Sequence, residues 1–107
     1  MEHYVPPHHG TIVQEESEYH PGLDFACRRG TPVFAAHSGD LTRGHNGRMG
    51  NYAYLSHNGV RTYYAHLQSV FLPGWYEQGE QIGTCGNTGS WSTGPHLHFE
   101  SNVRYTF

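Results

Sequence analysis

Ser92-Thr93-Gly94-Pro95-His96-Leu97-His98-Phe99-Glu100 decides the reading of this chain. Gly94-Pro95 is a turn or strand-entry signal. From His96 onward, imidazoles and apolar side chains alternate. On a strand, residues two apart share a face. His96 and His98 therefore project together from one face, while Leu97 and Phe99 pack inward from the other. Such a strand places a metal ligand beside a proton-transfer group. With ten histidines in 107 residues, a His-x-His pair also arises by chance, so its meaning depends on what else the chain supplies.

The segment Tyr19-His20-Pro21-Gly22-Leu23-Asp24-Phe25-Ala26-Cys27 offers a second cluster. In a straight strand His20 and Asp24 would lie about 13 Å apart, at roughly 3.3 Å per residue. That is too far for two ligands whose metal bonds are about 2.0–2.2 Å long. The Pro21-Gly22 turn predicts a bend that folds His20 back toward Asp24. Leu23 and Phe25 then face the core on either side of the carboxylate.

The remaining segments predict short strands. Asn58-Gly59, between Asn51–His57 and Val60–Leu67, is a strong two-residue hairpin signal. His66 falls at the end of the second strand, away from that turn, where it can reach a cleft. His57 lies at the turn and is expected to hydrogen-bond backbone there. Gly30-Thr31-Pro32 opens a strand over Val33–Ala36, Leu41 to Gly44 forms a further short strand, and Ser38-Gly39-Asp40 is a turn between them. Residues 45–50 and 87–94 are Gly-rich loops, the first a candidate groove rim. Trp91, in the second, reads equally as an edge anchor or a stacking residue for substrate. Gln68 to Gly79 is a longer connection broken at Pro73-Gly74, and Gln81–Gly86 is a short strand. His37 and His45 sit beside turns and are expected at the surface. Residues 1–18 form an N-terminal arm without clear period, in which His3, His8 and His9 are expected to be solvated. Residues 19–107 make the functional domain. No sustained 3.6-residue period and no internal repeat occur, so the fold class is all-β or β-rich with antiparallel sheets.

Composition narrows the function. Gly and Pro together are 14 plus 6 residues of 107, above the usual share of about 12%. Charged residues are 14% against roughly 25%. The chain is thus rich in turns and short elements, while its aromatics argue against disorder. The formal net charge of −3, with no Lys/Arg cluster, excludes a nucleic-acid partner bound through a basic patch. No apolar run is long enough to span a membrane. The first residues lack the basic start and apolar stretch of a secretory signal, which suggests a protein made without one or a domain excised from a longer chain. Cys27 and Cys85 are compatible with one disulfide and equally with two buried thiols. Their spacing is not that of a zinc-binding pair.

The candidates that remain are His20, Asp24, His66, His96 and His98. Three protein ligands with an open position are the usual form of a catalytic zinc site, whereas a structural site closes with four. Zinc lowers the pKa of bound water to about 7. Two further histidines beside the ion can handle protons and stabilise developing charge.

The chain resembles the lysostaphin-type (LytM-like) zinc metallopeptidases of bacterial cell walls. The resemblance runs through His20-Pro-Gly-Leu-Asp24-Phe-Ala, Gly30-Thr-Pro-Val, Gly50-Asn51, Tyr64-Ala-His66-Leu, Gln81-Ile-Gly83 and Ser92 to Glu100, in that order, and covers roughly residues 19 to 100. It implies that His20, Asp24 and His98 bind one zinc ion and that His66 and His96 are the catalytic pair. It implies an antiparallel LytM-like (duplicated hybrid motif) fold with a loop-walled groove. It further implies endopeptidase cleavage of peptidoglycan stem peptides or cross-bridges, by a monomer acting in the cell wall or periplasm, as in a phage lysin or an excised domain of a secreted enzyme. Cys27 and Cys85 stand where the family more often has small or apolar residues, and the loop Gly89 to Gly94 is one residue longer than the common form. Two other readings compete. A catalytically inactive relative that binds wall or activates a hydrolase would lack ligands, yet all five positions are filled here. A plain His-rich metal binder predicts several loose ions in place of one tight zinc.

Overall fold

The structure, a computed structural model, describes residues 1–17 and 22–107, with no helix among them. The strands are β1 (Glu2–His3), β2 (Ile12–Gln14), β3 (Leu23–Ala26), β4 (Pro32–Phe34), β5 (Gly39–Asn46), β6 (Gly50–His57), β7 (Val60–Val70), β8 (Gly74–Tyr76), β9 (Gln81–Cys85), β10 (His96–Ser101) and β11 (Tyr105–Thr106). The main sheet runs β2-β3-β10-β7-β6-β5-β8, with β9 paired to both β7 and β4. All of these pairings are antiparallel. The small β1–β11 pair is parallel. The antiparallel all-β class expected from the sequence is what forms.

Alternation sets the orientation of β10. Leu97 and Phe99 have no exposed surface, while His96, His98 and Glu100 on the other face are half-buried. Full burial of such side chains contributes about 1.5–3 kcal/mol each. A one-residue slip would turn the imidazoles into the core, so the apolar pair fixes the register. In that register His98 lies opposite Asp24 of β3 on one side and Ala65 of β7 on the other. The core beneath includes Phe25, Val33, Leu41, Leu55, Tyr64, Leu67, Ile82 and Cys85.

The Asn58-Gly59 turn joins β6 to β7 as expected. Asn58 (φ 49°) and Gly59 (φ 79°) are both left-handed, as the tight hairpin turn matching strand twist requires. Other segments differ from the expectation. The predicted short strand at Leu41 to Gly44 is the middle of β5, and Gly39-Asp40 are paired strand residues instead of a turn. The connection after Gln68 contains the end of β7 and all of β8, which adds a short edge strand beside β5. His57 lies at the turn, but its ring meets the Asn58 side-chain amide and the edge of Trp75 in place of backbone.

The segment before residue 18 is not uniformly solvated. Tyr4 is 1% exposed and stacks on His37 and Tyr105, and Pro7 is fully buried. His8, expected in solvent, is buried because Nε2 meets the Thr31 hydroxyl while Nδ1 accepts the Gly10 N–H. His37, expected at the surface, is 8% exposed. Its Nδ1–H donates to the Ser38 carbonyl, and its Nε2 meets Thr62 Oγ1 at 2.9 Å. Thr62 Oγ1 in turn meets the Tyr64 hydroxyl, which accepts from the Ala36 N–H. A directed chain of donors therefore ends on a neutral imidazole. His3, His9 and His45 are exposed. Cys27 and Cys85 are paired as a disulfide, with Cα atoms 6.4 Å apart, tying the segment after β3 to the end of β9.

Candidate active site

Three adjacent strands bring four of the five predicted side chains together. Asp24 comes from β3, His96 and His98 from β10, and His66 from β7. His98 Nδ1 lies 2.8 Å from Asp24 Oδ1, and His96 Nε2 lies 3.7 Å from the same oxygen. The ring centroids of His66 and His96 are 4.7 Å apart, and those of His66 and His98 6.2 Å. His20, with the predicted bend at Pro21, lies outside the described residues. Gly22, the first described residue after them, has φ 86°, in the left-handed region open to glycine.

His66 is aimed by a bulge. Between Asn51–Leu67 and Ala53–Tyr64 the pairing of β6 with β7 shifts register, two steps along β6 facing three along β7. His66 is in this stretch with φ 64°, a rare conformation for a non-glycine residue. Bulges of this kind re-aim a side chain. The backbone N–H of His66 donates to the Met49 carbonyl, and its Nδ1–H donates to the Thr88 carbonyl at 2.7 Å. These contacts place the lone pair of the neutral ring on Nε2. His66 is 3% exposed, and burial pushes its pKa below the usual histidine value, with His96 and His98 adding to the effect and the Thr88 hydrogen bond opposing it.

His96 and His98 are held differently. His96 Nδ1–H donates to the Gly94 carbonyl at 2.8 Å, with the Ser92 hydroxyl at 3.3 Å. Its Nε2 therefore also carries a lone pair, on the side facing Asp24. His98 has a carboxylate at each nitrogen: Asp24 at Nδ1 and Glu100 at Nε2, 3.1 Å away. Burial works against its charge, but the hydrogen bonds to Glu100 and Asp24 outweigh it and raise the pKa.

The sequence reading assigned no role to Glu100, Thr88 or Met49. Glu100 had a visible signal: it shares the face of His96 and His98, continuing the alternation. The carbonyls of Met49 and Thr88 had none, since backbone acceptors leave no mark in residue identity. The loops that supply them are joined. Asn51 N–H and Thr88 Oγ1 are 3.0 Å apart, and the Ser90 and Trp91 N–H groups donate to the carbonyls of Gly47 and Arg48.

The profile of peptidase family M23 matches residues 18–106. The chain belongs to that family. Among curated relatives, the DD-carboxypeptidase/endopeptidase Mpg of Neisseria meningitidis serogroup B is 46% identical over 87 residues, covering 78% of this chain and 20% of Mpg. The peptidoglycan DD-endopeptidase ShyA of Vibrio cholerae is 42% identical over 90 residues, covering 79% of this chain and 20% of ShyA. The chain thus spans about a fifth of the length of these curated relatives. A zinc-containing peptidase from Vibrio cholerae superposes with a TM-score of 0.73 at 33% identity, over 92% of this chain and 31% of that one.

The donor set suits a metal ion. Two ligands of a tetrahedral zinc at bond lengths of about 2.0–2.1 Å stand roughly 3.3 Å apart. Asp24 Oδ1 and His98 Nδ1, at 2.8 Å, need to open by only about half an ångström to admit one. Among the described residues no group of three such side chains has ligand geometry, and the third predicted ligand, His20, is not among them.

Proposed function

We propose that this domain is a zinc-dependent endopeptidase that hydrolyses peptide bonds of bacterial peptidoglycan, acting as a monomer in the cell wall or periplasm. The observation that carries the reading is the convergence of Asp24, His98, His96 and His66 at one point of the sheet, in a chain of family M23. The naming of ShyA as a peptidoglycan DD-endopeptidase supports the substrate class. The zinc-containing neighbour supports the choice of metal.

His20, Asp24 and His98 would hold the ion, His98 through Nδ1, leaving Nε2–H to donate to Glu100. A carboxylate behind a ligating imidazole fixes its tautomer and raises its basicity. Zinc bound there supplies a Lewis acid that polarises the scissile carbonyl and acidifies the attacking water. Hydrolysis must also move one proton from that water to the leaving amine nitrogen. His66 and His96 provide stations for it, each with Nδ1–H tied to a carbonyl and Nε2 turned to the site. His66, kept neutral by burial, is suited to take the proton. The resulting imidazolium can return it to the amine or support the charge on the carbonyl oxygen.

The direct test is digestion of purified peptidoglycan with and without a chelator, with mass spectrometry of the released fragments. Chelator-sensitive release of new amine and carboxyl ends is expected. Undiminished release in the metal-free protein would overturn the zinc reading.

A further inference from the structure

Arg48 and Trp91 pair on the two loops that adjoin His66 and His96. The Arg48 guanidinium carbon lies over the Trp91 ring, 5.2 Å from its centroid. Trp91 is 63% exposed, and Arg48 is exposed as well. Neither stabilises a core. Their backbones are nevertheless firmly held. Trp91 N–H donates to the Arg48 carbonyl, Ser90 N–H to Gly47, and the N–H groups of Arg48 and Met49 both donate to Asn46 Oδ1. The pair also adjoins both proton-handling groups. Met49, next to Arg48, accepts from the backbone N–H of His66, and Ser92, next to Trp91, touches His96.

Among the described residues, Arg48 makes no ion pair with a carboxylate. A guanidinium resting on an aromatic face keeps its in-plane N–H groups available, and that planar fork matches a carboxylate. A held platform with an unsatisfied fork binds with less ordering cost than a free arginine. From this geometry we infer that Arg48, oriented by Trp91, is a specificity-determining residue that reads a carboxylate of the peptide substrate next to the scissile bond. The inference rests on the peptidase reading above and adds to it the charge of the preferred substrate.

The test uses a synthetic peptide with a D,D-peptide bond and free side-chain and C-terminal carboxylates, and two twins in which one or the other is a primary amide. The wild-type protein is expected to favour one free carboxylate by about ten-fold in kcat/KM, expressed in KM, as for a charged hydrogen bond. Arg48→Gln should reduce that ratio to near one, Arg48→Lys should retain part of it, and Trp91→Phe should retain more than Trp91→Ala. Melting temperatures and zinc content identify any variant that is misfolded. Hydrolysis by the wild type without preference, or a preference unchanged in Arg48→Gln, would overturn the inference while leaving the peptidase reading intact. If the wild type cleaves none of the peptides, the peptidase reading is judged on peptidoglycan digestion alone and binding decides here: in a Trp75→Phe background, Trp91 fluorescence should respond to the carboxylate peptide and not to its amide, and no difference overturns the inference.

Discussion

His98 has Glu100 at one ring nitrogen and Asp24 at the other, whereas His96 has the Gly94 carbonyl at Nδ1 and its Nε2 stands 3.7 Å from Asp24. Their expected losses therefore differ in kind. Replacing His66 or His96 with Ala should lower peptide hydrolysis by roughly 10²–10⁴-fold while zinc stays bound. Glu100→Gln should weaken zinc binding by about 10–100-fold, measured by competition with a chromophoric chelator. Retention of wild-type affinity would remove Glu100 from its supporting position. His37 gives a pH prediction remote from the site. Burial lowers its pKa, outweighing the Ser38 hydrogen bond; protonation would also require the Thr62–Tyr64 chain to reverse. The unfolded state then binds more protons below its own pKa of about 6.5. Stability is full above that value and falls as pH drops toward the lower folded pKa. His8 shifts the same way through burial and its neighbour His9. Denaturant midpoints between pH 7.5 and 5 should decline, and less steeply in His37→Gln than in wild type.

At the scale of elements, the bulge in β7 and the turn after β5 act together on His66. Gly50 has φ 65°, and a Cβ there would overlap Thr88, the residue whose carbonyl holds the His66 ring. Gly59 has φ 79° with open space around it. Gly50→Ala and Gly59→Ala should each lose about 1–3 kcal/mol from backbone strain, and Gly50→Ala should also lose turnover at temperatures where both are folded. Equal turnover in the two variants would deny the loop its role. This contrast also explains what could be read from the chain. β10 was legible because its alternation is strict, and the β6–β7 hairpin because Asn58-Gly59 suits one turn type. The bulge was not, since nothing in Tyr64-Ala65-His66-Leu67 distinguishes a bulged strand from a straight one. The buried positions of His8 and His37 were hidden for a related reason: their partners Thr31, Thr62 and Tyr64 are distant in sequence, and a histidine beside a turn is ordinarily solvated. The strand order β3-β10-β7 carries Asp24, His66, His96 and His98 to one place, which their spacing along the chain does not show. The tautomers and second partners depend on backbone carbonyls and neighbouring strands that meet only in the folded chain.

For the whole molecule, the Cys27–Cys85 link closes a sequence separation of 58 residues. On the chain-entropy account such a loop is worth about 4 kcal/mol. The Cys27→Ala/Cys85→Ala protein should lose up to that amount in unfolding free energy, and reductant should have little further effect on it. The link joins the segment following Asp24 to the strand paired with β7, so it also helps set the spacing across the site. The proposed activity requires the metal-holding and proton-handling groups to be separable within this one fold. Zinc content and peptidoglycan hydrolysis measured on the same preparations of wild type, His98→Ala and His96→Ala test that directly. The account predicts one zinc per chain with hydrolysis in wild type, no tightly bound zinc and no hydrolysis in His98→Ala, and one zinc with hydrolysis lowered by roughly 10²–10⁴-fold in His96→Ala. Full zinc binding and hydrolysis in His98→Ala, or undiminished hydrolysis in His96→Ala, would contradict it.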